Sequence, residues 1–263
     1  MRKFTYSMMS EQKSEAPLYS PLELVCDTIN AFMITSVYFD IDATLIDIKS
    51  AQDNACMFLY GYGGFGAATN EQAFVATWDR LTEYHYDFYT RKEITYEEQR
   101  ERRITDLYQT YDRPLGGDDP LELYDKYLRV FEDSWRIYDD VLPCLEQLAS
   151  AGYRLGVITN GDKAQQTQKL ERTNIAHYFS DIIAGGDYDY SKPDPRIFET
   201  ACKTAGITYD NMCYIGDDLS KDIAPCNLLG IKNILIDRTD RYHDDPRLTR
   251  VTTLLDVNRL LGV

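Results

Sequence analysis

Hydrophobic positions follow two rhythms along this chain. Four short runs are rich in apolar, β-branched and aromatic residues: Ile34–Phe39 (ITSVYF), Leu155–Ile158 (LGVI), Met212–Ile215 (MCYI) and Ile231–Ile236 (IKNILI). Runs of this length predict buried strands. Helical spacing lies between them. Leu142, Leu145, Leu148 and Ala149 share one face and are closed by Gly152. Asp194 and Pro195 make a helix start before Ile197, Phe198, Ala201 and Cys202. A further helix is expected from about Ser220 to Leu229, stopping at Gly230. This alternation predicts an α/β fold with a doubly wound parallel sheet. In such sheets ligands bind beyond the carboxyl ends of the strands.

The segment 52–139 interrupts the alternation and contains no convincing strand. Phe74, Trp78, Leu81, His85 and Phe88 fall on one helical face, as do Tyr124, Leu128, Phe131, Trp135 and Tyr138. Thr95 and Glu98 have capping-box spacing before Ile104, Leu107 and Tyr111. The loop Asp112–Pro120 divides the segment. The expected organisation is therefore a core of residues 33–51 and 140–263 with a helical insert over 52–139. Residues 1–32 read as a polar, poorly ordered arm, with a short helix over Leu22–Phe32.

Charge narrows the partners. The chain of 263 residues carries 43 acidic and 28 basic side chains, a net −15 at pH 7. That argues against a nucleic-acid polymer and against docking on anionic membrane, both of which need basic surface. A small anionic substrate needs only a local positive pocket. None of the six cysteines forms a C-x-x-C pair, which fits reduced thiols in a cytoplasmic protein. No apolar run is long enough to span a bilayer, and the N-terminus lacks the pattern of a signal peptide.

Candidate chemistry sits at strand ends. Asp40 and Asp42 follow the first strand, and two acids so placed are costly unless a cation binds there. A turn bearing two solvated acids is the plainer reading of that pair alone. Thr159-Asn160-Gly161 ends the second strand with a hydroxyl and free backbone N–H groups suited to an anion. Lys192 lies between Ser191 and Pro193 just before a helix, and alone would read as a surface lysine. Gly216-Asp217-Asp218 ends the third long strand, with Asp222 four residues on, a cluster that could equally cap a helix. Acid pair, hydroxyl, lysine and acid cluster occurring in that order make the joint signal specific.

These residues resemble a known family. Phe39-Asp40-Ile41-Asp42-Ala43-Thr44-Leu45, Ile158-Thr159-Asn160-Gly161, Lys192-Pro193-Asp194-Pro195 and Ile215-Gly216-Asp217-Asp218 through Asp222 are similar to the motifs of haloacid dehalogenase (HAD) superfamily hydrolases with a helical cap. The resemblance runs from about residue 33 to the C-terminus and implies a Rossmann-like core. Ala43 departs from it, standing where the family most often carries Gly, Asp or Asn. By this resemblance Asp40 is the nucleophile that forms an aspartyl-phosphate, and Asp42 is the general acid and base. Mg²⁺ is implied, held by Asp40, the Asp42 carbonyl and Asp217, with Asp218 and Asp222 in or near its outer shell. Thr159 and Lys192 are implied to hold the phosphoryl oxygens, assisted by backbone N–H groups near Asn160. The acid at Asp42 favours a phosphomonoester hydrolase acting on a small soluble phosphate, of nucleotide or sugar-phosphate class. A phosphomutase, a metal-independent 2-haloacid dehalogenase and a non-catalytic interaction protein are the alternatives.

Other features change little. Gly61-Tyr62-Gly63-Gly64-Phe65-Gly66 looks like a phosphate loop but follows no strand, so a flexible loop of the insert is expected. Eleven of the 21 tyrosines fall between Tyr60 and Tyr138, which predicts aromatic packing in the insert rather than base stacking. His85, His177 and His243 have no ligand spacing.

Overall fold

The computed structural model describes residues 33–263, and the expected N-terminal arm with its helix over Leu22–Phe32 lies outside them. Six parallel strands form one sheet: β1 Ser36–Phe39, β2 Arg154–Thr159, β3 Asp181–Ala184, β4 Met212–Gly216, β5 Lys232–Ile236 and β6 Arg250–Val251. Their order is β3-β2-β1-β4-β5-β6. This is the doubly wound, Rossmann-like arrangement, and its direction reverses between β1 and β4. Phe39 pairs in register with Val157 of β2 and Ile215 of β4.

Alternation along the strands explains why both sheet faces are covered. Val37, Phe39, Leu155, Val157, Cys213 and Ile215 face one way. They pack on α5 (Val141–Ser150), on Leu170 of α6 (Lys163–Arg172) and on Val257 of α9 (Leu255–Leu261). Tyr38, Ile158 and Tyr214 face the other way, onto α7 (Arg196–Ala205) and Cys226 of α8 (Ala224–Leu229). The helix expected from about Ser220 opens with a π-helical turn over Leu219–Ile223 before α8, which ends at Gly230. The two edge strands, β3 and β6, were not expected from the hydrophobic pattern.

Four helices lie between β1 and α5: α1 Ile48–Tyr62, α2 Glu71–Thr90, α3 Tyr96–Thr110 and α4 Pro120–Asp133. Each start has a chemical cause. Asp47 and Asn70 cap α1 and α2, and Asp119 caps α4 with Pro120 in its first turn. Thr95 and Glu98 form the expected capping box on α3. These helices bury their own core, including Leu59, Phe65, Phe74, Trp78, Leu107 and Tyr127. The glycine-rich segment is the end of α1 and a 3-10 turn, not an open loop, and Phe65 fills the space beside Gly63 that a Cβ would occupy. Trp135 and Tyr138 differ from expectation. The helix stops at Asp133, where the Ser134 hydroxyl donates to the Val130 carbonyl, and both aromatics fall on the connecting strand beyond it. Ile137 on that strand bridges Ile46 on the outgoing one. No helix among the described residues is long and apolar enough to cross a membrane.

Candidate active site

The Asp40 N–H donates to the Ile215 carbonyl at 2.8 Å, which fixes Asp40 at the mouth of β1 beside β4. The chain then folds back tightly. The N–H groups of Leu45 and Ile46 both donate to the Ile41 carbonyl, and that of Ala43 to the Ile46 carbonyl. The loop requires Ala43 at φ 63°, a left-handed conformation that favours glycine. The result separates two acids of the same loop: the Asp40 side chain is 11% exposed, whereas that of Asp42 is 40% exposed.

Lys192 reaches Asp40 from the neighbouring side. Its Nζ donates to Asp40 Oδ1 at 2.6 Å, to Asp222 Oδ1 at 2.7 Å and to the Tyr214 hydroxyl at 3.0 Å. An ammonium has three donors, so all are engaged. Asn160 holds the lysine's backbone: its Nδ2 donates to the Lys192 carbonyl and its Oδ1 accepts from the Lys192 N–H. The side chain of Asn160 is thus committed to Lys192. Thr159 is buried beside it, with its hydroxyl accepting weakly from the Gly161 N–H at 3.4 Å.

The acid cluster divides by partner. A Cβ at Gly216 would collide with the Asp222 carboxylate, so glycine there lets β4 receive it. Asp222 accepts from Lys192 at Oδ1 and from the Asp218 N–H at Oδ2. Asp218 turns to its own helix start, accepting from the Ser220 hydroxyl and from the N–H groups of Ser220 and Lys221. Asp217 accepts no hydrogen bond from any other described residue.

Electrostatics follow this division. Burial raises Asp40 to about 7, and the charges of Asp222 and Asp42 add to it against the pull of Lys192. Burial works against the Lys192 ammonium, but Asp40 and Asp222 outweigh it and raise its pKa. Asp217 is pushed up to about 6 by burial and by Asp222. Burial also opposes ionisation of Asp218, but its hydrogen bonds hold it at about 2.

Carboxylate oxygens of Asp40, Asp217 and Asp222 lie within 4.8 Å of one another. Crowded oxygen donors of this kind, two of the three buried, fit a hard divalent cation such as Mg²⁺. Asp40 and Asp217 have oxygens free to offer, while both oxygens of Asp222 are taken by protein donors.

Two contributors carried no sequence signal. Tyr214 sits in an apolar strand, yet its phenol meets Lys192, Asp222 and the Ile158 carbonyl. Lys169 lies in the polar stretch of α6, yet is 2% exposed and donates to Asp42 Oδ1 at 2.5 Å.

Comparison with known proteins identifies the family and the fold. The family described as haloacid dehalogenase-like hydrolase matches residues 34–230. A glyceraldehyde 3-phosphate phosphatase of Methanopyrus kandleri is 28% identical over 254 residues, covering 88% of this chain and 99% of that protein. An (S)-2-haloacid dehalogenase of Burkholderia cepacia is 24% identical over 230 residues, covering 85% of this chain and 93% of its own. A magnesium-bound HAD-hydrolase of Bacillus subtilis shares the fold, with a TM-score of 0.71 at 21% identity over 88% of this chain and all of that one.

Proposed function

This chain belongs to the haloacid dehalogenase-like hydrolases, and from that premise we propose that it hydrolyses phosphomonoesters of small soluble metabolites with the help of Mg²⁺. One observation carries this reading. Asp40, Asp217 and Asp222 converge at the mouth of β1 and β4 around a single ammonium. A carbon-attacking dehalogenase has no use for that excess of negative charge, whereas metal-assisted phosphoryl transfer does. The likeness to a glyceraldehyde 3-phosphate phosphatase supports a sugar-phosphate class of substrate. Five described cysteines, all free and buried, agree with a reducing, cytoplasmic setting.

In the proposed reaction Asp40 attacks phosphorus through one carboxylate oxygen and keeps the other for the cation. The bond to the leaving oxygen breaks as Asp42 delivers a proton to it, giving an aspartyl-phosphate and the free alcohol. Asp42 then takes a proton from water, which attacks the same phosphorus and frees Asp40 and phosphate. Thr159 and the backbone N–H groups of its turn hold phosphoryl oxygens, and Lys192 exchanges one of its protein partners for a phosphoryl oxygen. Asp40, Asp217 and the Asp42 carbonyl would hold Mg²⁺, which supplies the positive charge that lets an anionic nucleophile meet an anionic phosphate. We assign the helical insert, over 52–139, the role of a cap that excludes bulk water.

The test is phosphate release over a panel of nucleotides, sugar phosphates and small acid phosphates with Mg²⁺, for the parent and for Asp40→Asn. Turnover that disappears in the variant supports the reading, and turnover that survives overturns it. The dehalogenase relative makes halide release from a 2-haloacid in EDTA the matching control.

A further inference from the structure

The α6 helix turns a polar face inward. Gln166 and Lys169, three residues apart, are 3% and 2% exposed. Gly161 has no Cβ where the Gln166 amide sits, so the helix packs directly against the turn that ends β2. One helical turn further on, Lys169 passes the Trp135 ring, with its Nζ 5.4 Å from the ring centre, and ends on Asp42 Oδ1 at 2.5 Å. Trp135 therefore covers the ammonium from the connecting strand.

The arrangement is unusual for stability alone. Here the cation is buried and its acid is open, with the Asp42 side chain 40% exposed. Burying a lysine costs desolvation that a half-exposed carboxylate repays poorly. The asymmetry has a chemical use instead. Lys169 occupies one oxygen of Asp42, and nothing among the described residues hydrogen-bonds the other.

We propose that Lys169 is a positioning residue for Asp42: it anchors Oδ1 so that Oδ2 alone points to the reacting centre and carries the proton. This rests on reading Asp42 as the proton-transfer group. Lys169 itself touches no reacting atom. It is carried on a helix locked to the β2 turn, so the carboxylate orientation is set relative to the phosphoryl site.

The test uses leaving groups. p-Nitrophenolate departs without a proton, whereas an alkoxide needs one. The value of kcat/KM reports steps up to departure of the alcohol, so it isolates the donation by Asp42. Lys169→Met should lower kcat/KM for the best alkyl phosphate of the panel by about 30-fold or more, and for p-nitrophenyl phosphate by only about threefold. In an Asp42→Asn background the added Lys169→Met should cost nothing further. Lys169→Gln keeps a donor without the charge and should recover part of the loss; it also serves if Lys169→Met fails to fold. Equal losses on both esters, or an undiminished loss in the Asp42→Asn background, overturn the inference. Asp42→Asn impaired beside an unimpaired Lys169→Met overturns it while leaving the proton-transfer reading intact. Asp42→Asn that cleaves both esters like the parent overturns that reading and the inference with it.

Discussion

The side-chain amide of Asn160 exchanges two hydrogen bonds with the backbone of Lys192, at 2.8 and 2.7 Å. A residue at the end of β2 thereby sets the position of a lysine that approaches from the loop before α7. Asn160→Ala removes both bonds without touching the ammonium. It should lower kcat/KM for phosphate esters by about ten- to a hundredfold, as loss of a supporting group does. Steady-state kinetics checks this, with the thermal midpoint showing that the fold persists.

Ala43 holds φ at 63° in the tight loop after β1. Cβ strain in this region costs about 1–2 kcal/mol, against a smaller entropic cost of glycine in the unfolded chain. Ala43→Gly should therefore stabilise the protein by about 1 kcal/mol, measured by urea unfolding. The family resemblance flagged this position as a departure, and the backbone angle explains why glycine suits it.

Asp181 accepts two bonds from the Arg154 guanidinium, each 2.8 Å, and one from the Tyr38 hydroxyl at 2.7 Å. Burial alone would raise its pKa, but these donors outweigh it and hold the carboxyl below its ordinary value. A folded-state pKa below the unfolded one stabilises at pH above about 4 and loses that stabilisation as pH falls through the folded value. Asp181→Asn should cost about 2 kcal/mol at pH 7 and clearly less near pH 3. Paired urea titrations at the two pH values check the sign.

Asp217 takes no hydrogen bond from another described residue and is pushed up to about 6 by burial and by Asp222. Its charge is better accommodated beside a cation. Asp217→Asn should weaken Mg²⁺ binding at least about tenfold in isothermal titration calorimetry. EDTA should abolish turnover by the parent, and added Mg²⁺ should restore it.

How far the sequence carried the reading depends on what each residue's pattern encodes. β1, β2, β4 and β5 were legible because strands covered on both faces become near-continuous apolar runs. β3 and β6 are the edges of the sheet: β3 opens on Asp181 and keeps only Ile182–Ala184 as an apolar run, and β6 has two residues, too little to stand out from turns. Trp135 keeps helical spacing after the helix has ended, because its role is to pack on Lys169 from the connecting strand. Asp40, Asp42, Thr159, Lys192 and Asp217 could be proposed from their order at strand ends. Lys169 could not: in α6 only Leu170 is a large apolar residue, so nothing in the pattern marks a buried face. Tyr214 was hidden for the opposite reason, since an aromatic residue in a buried strand reads as packing. The division between Asp218 and Asp222 needed coordinates, because a capping acid and a site acid look alike in sequence.

The central claim is that phosphate is transferred to Asp40. Borohydride reduces an acyl phosphate to an alcohol, so quenching the enzyme during turnover of a phosphomonoester with Mg²⁺ and mapping peptides by mass spectrometry reads the intermediate directly. Reduction should appear at Asp40, depend on substrate, and leave Asp42 and Asp217 unchanged. Steady phosphate release with Asp40 unmodified in every quench, or reduction at another carboxylate instead, would contradict it.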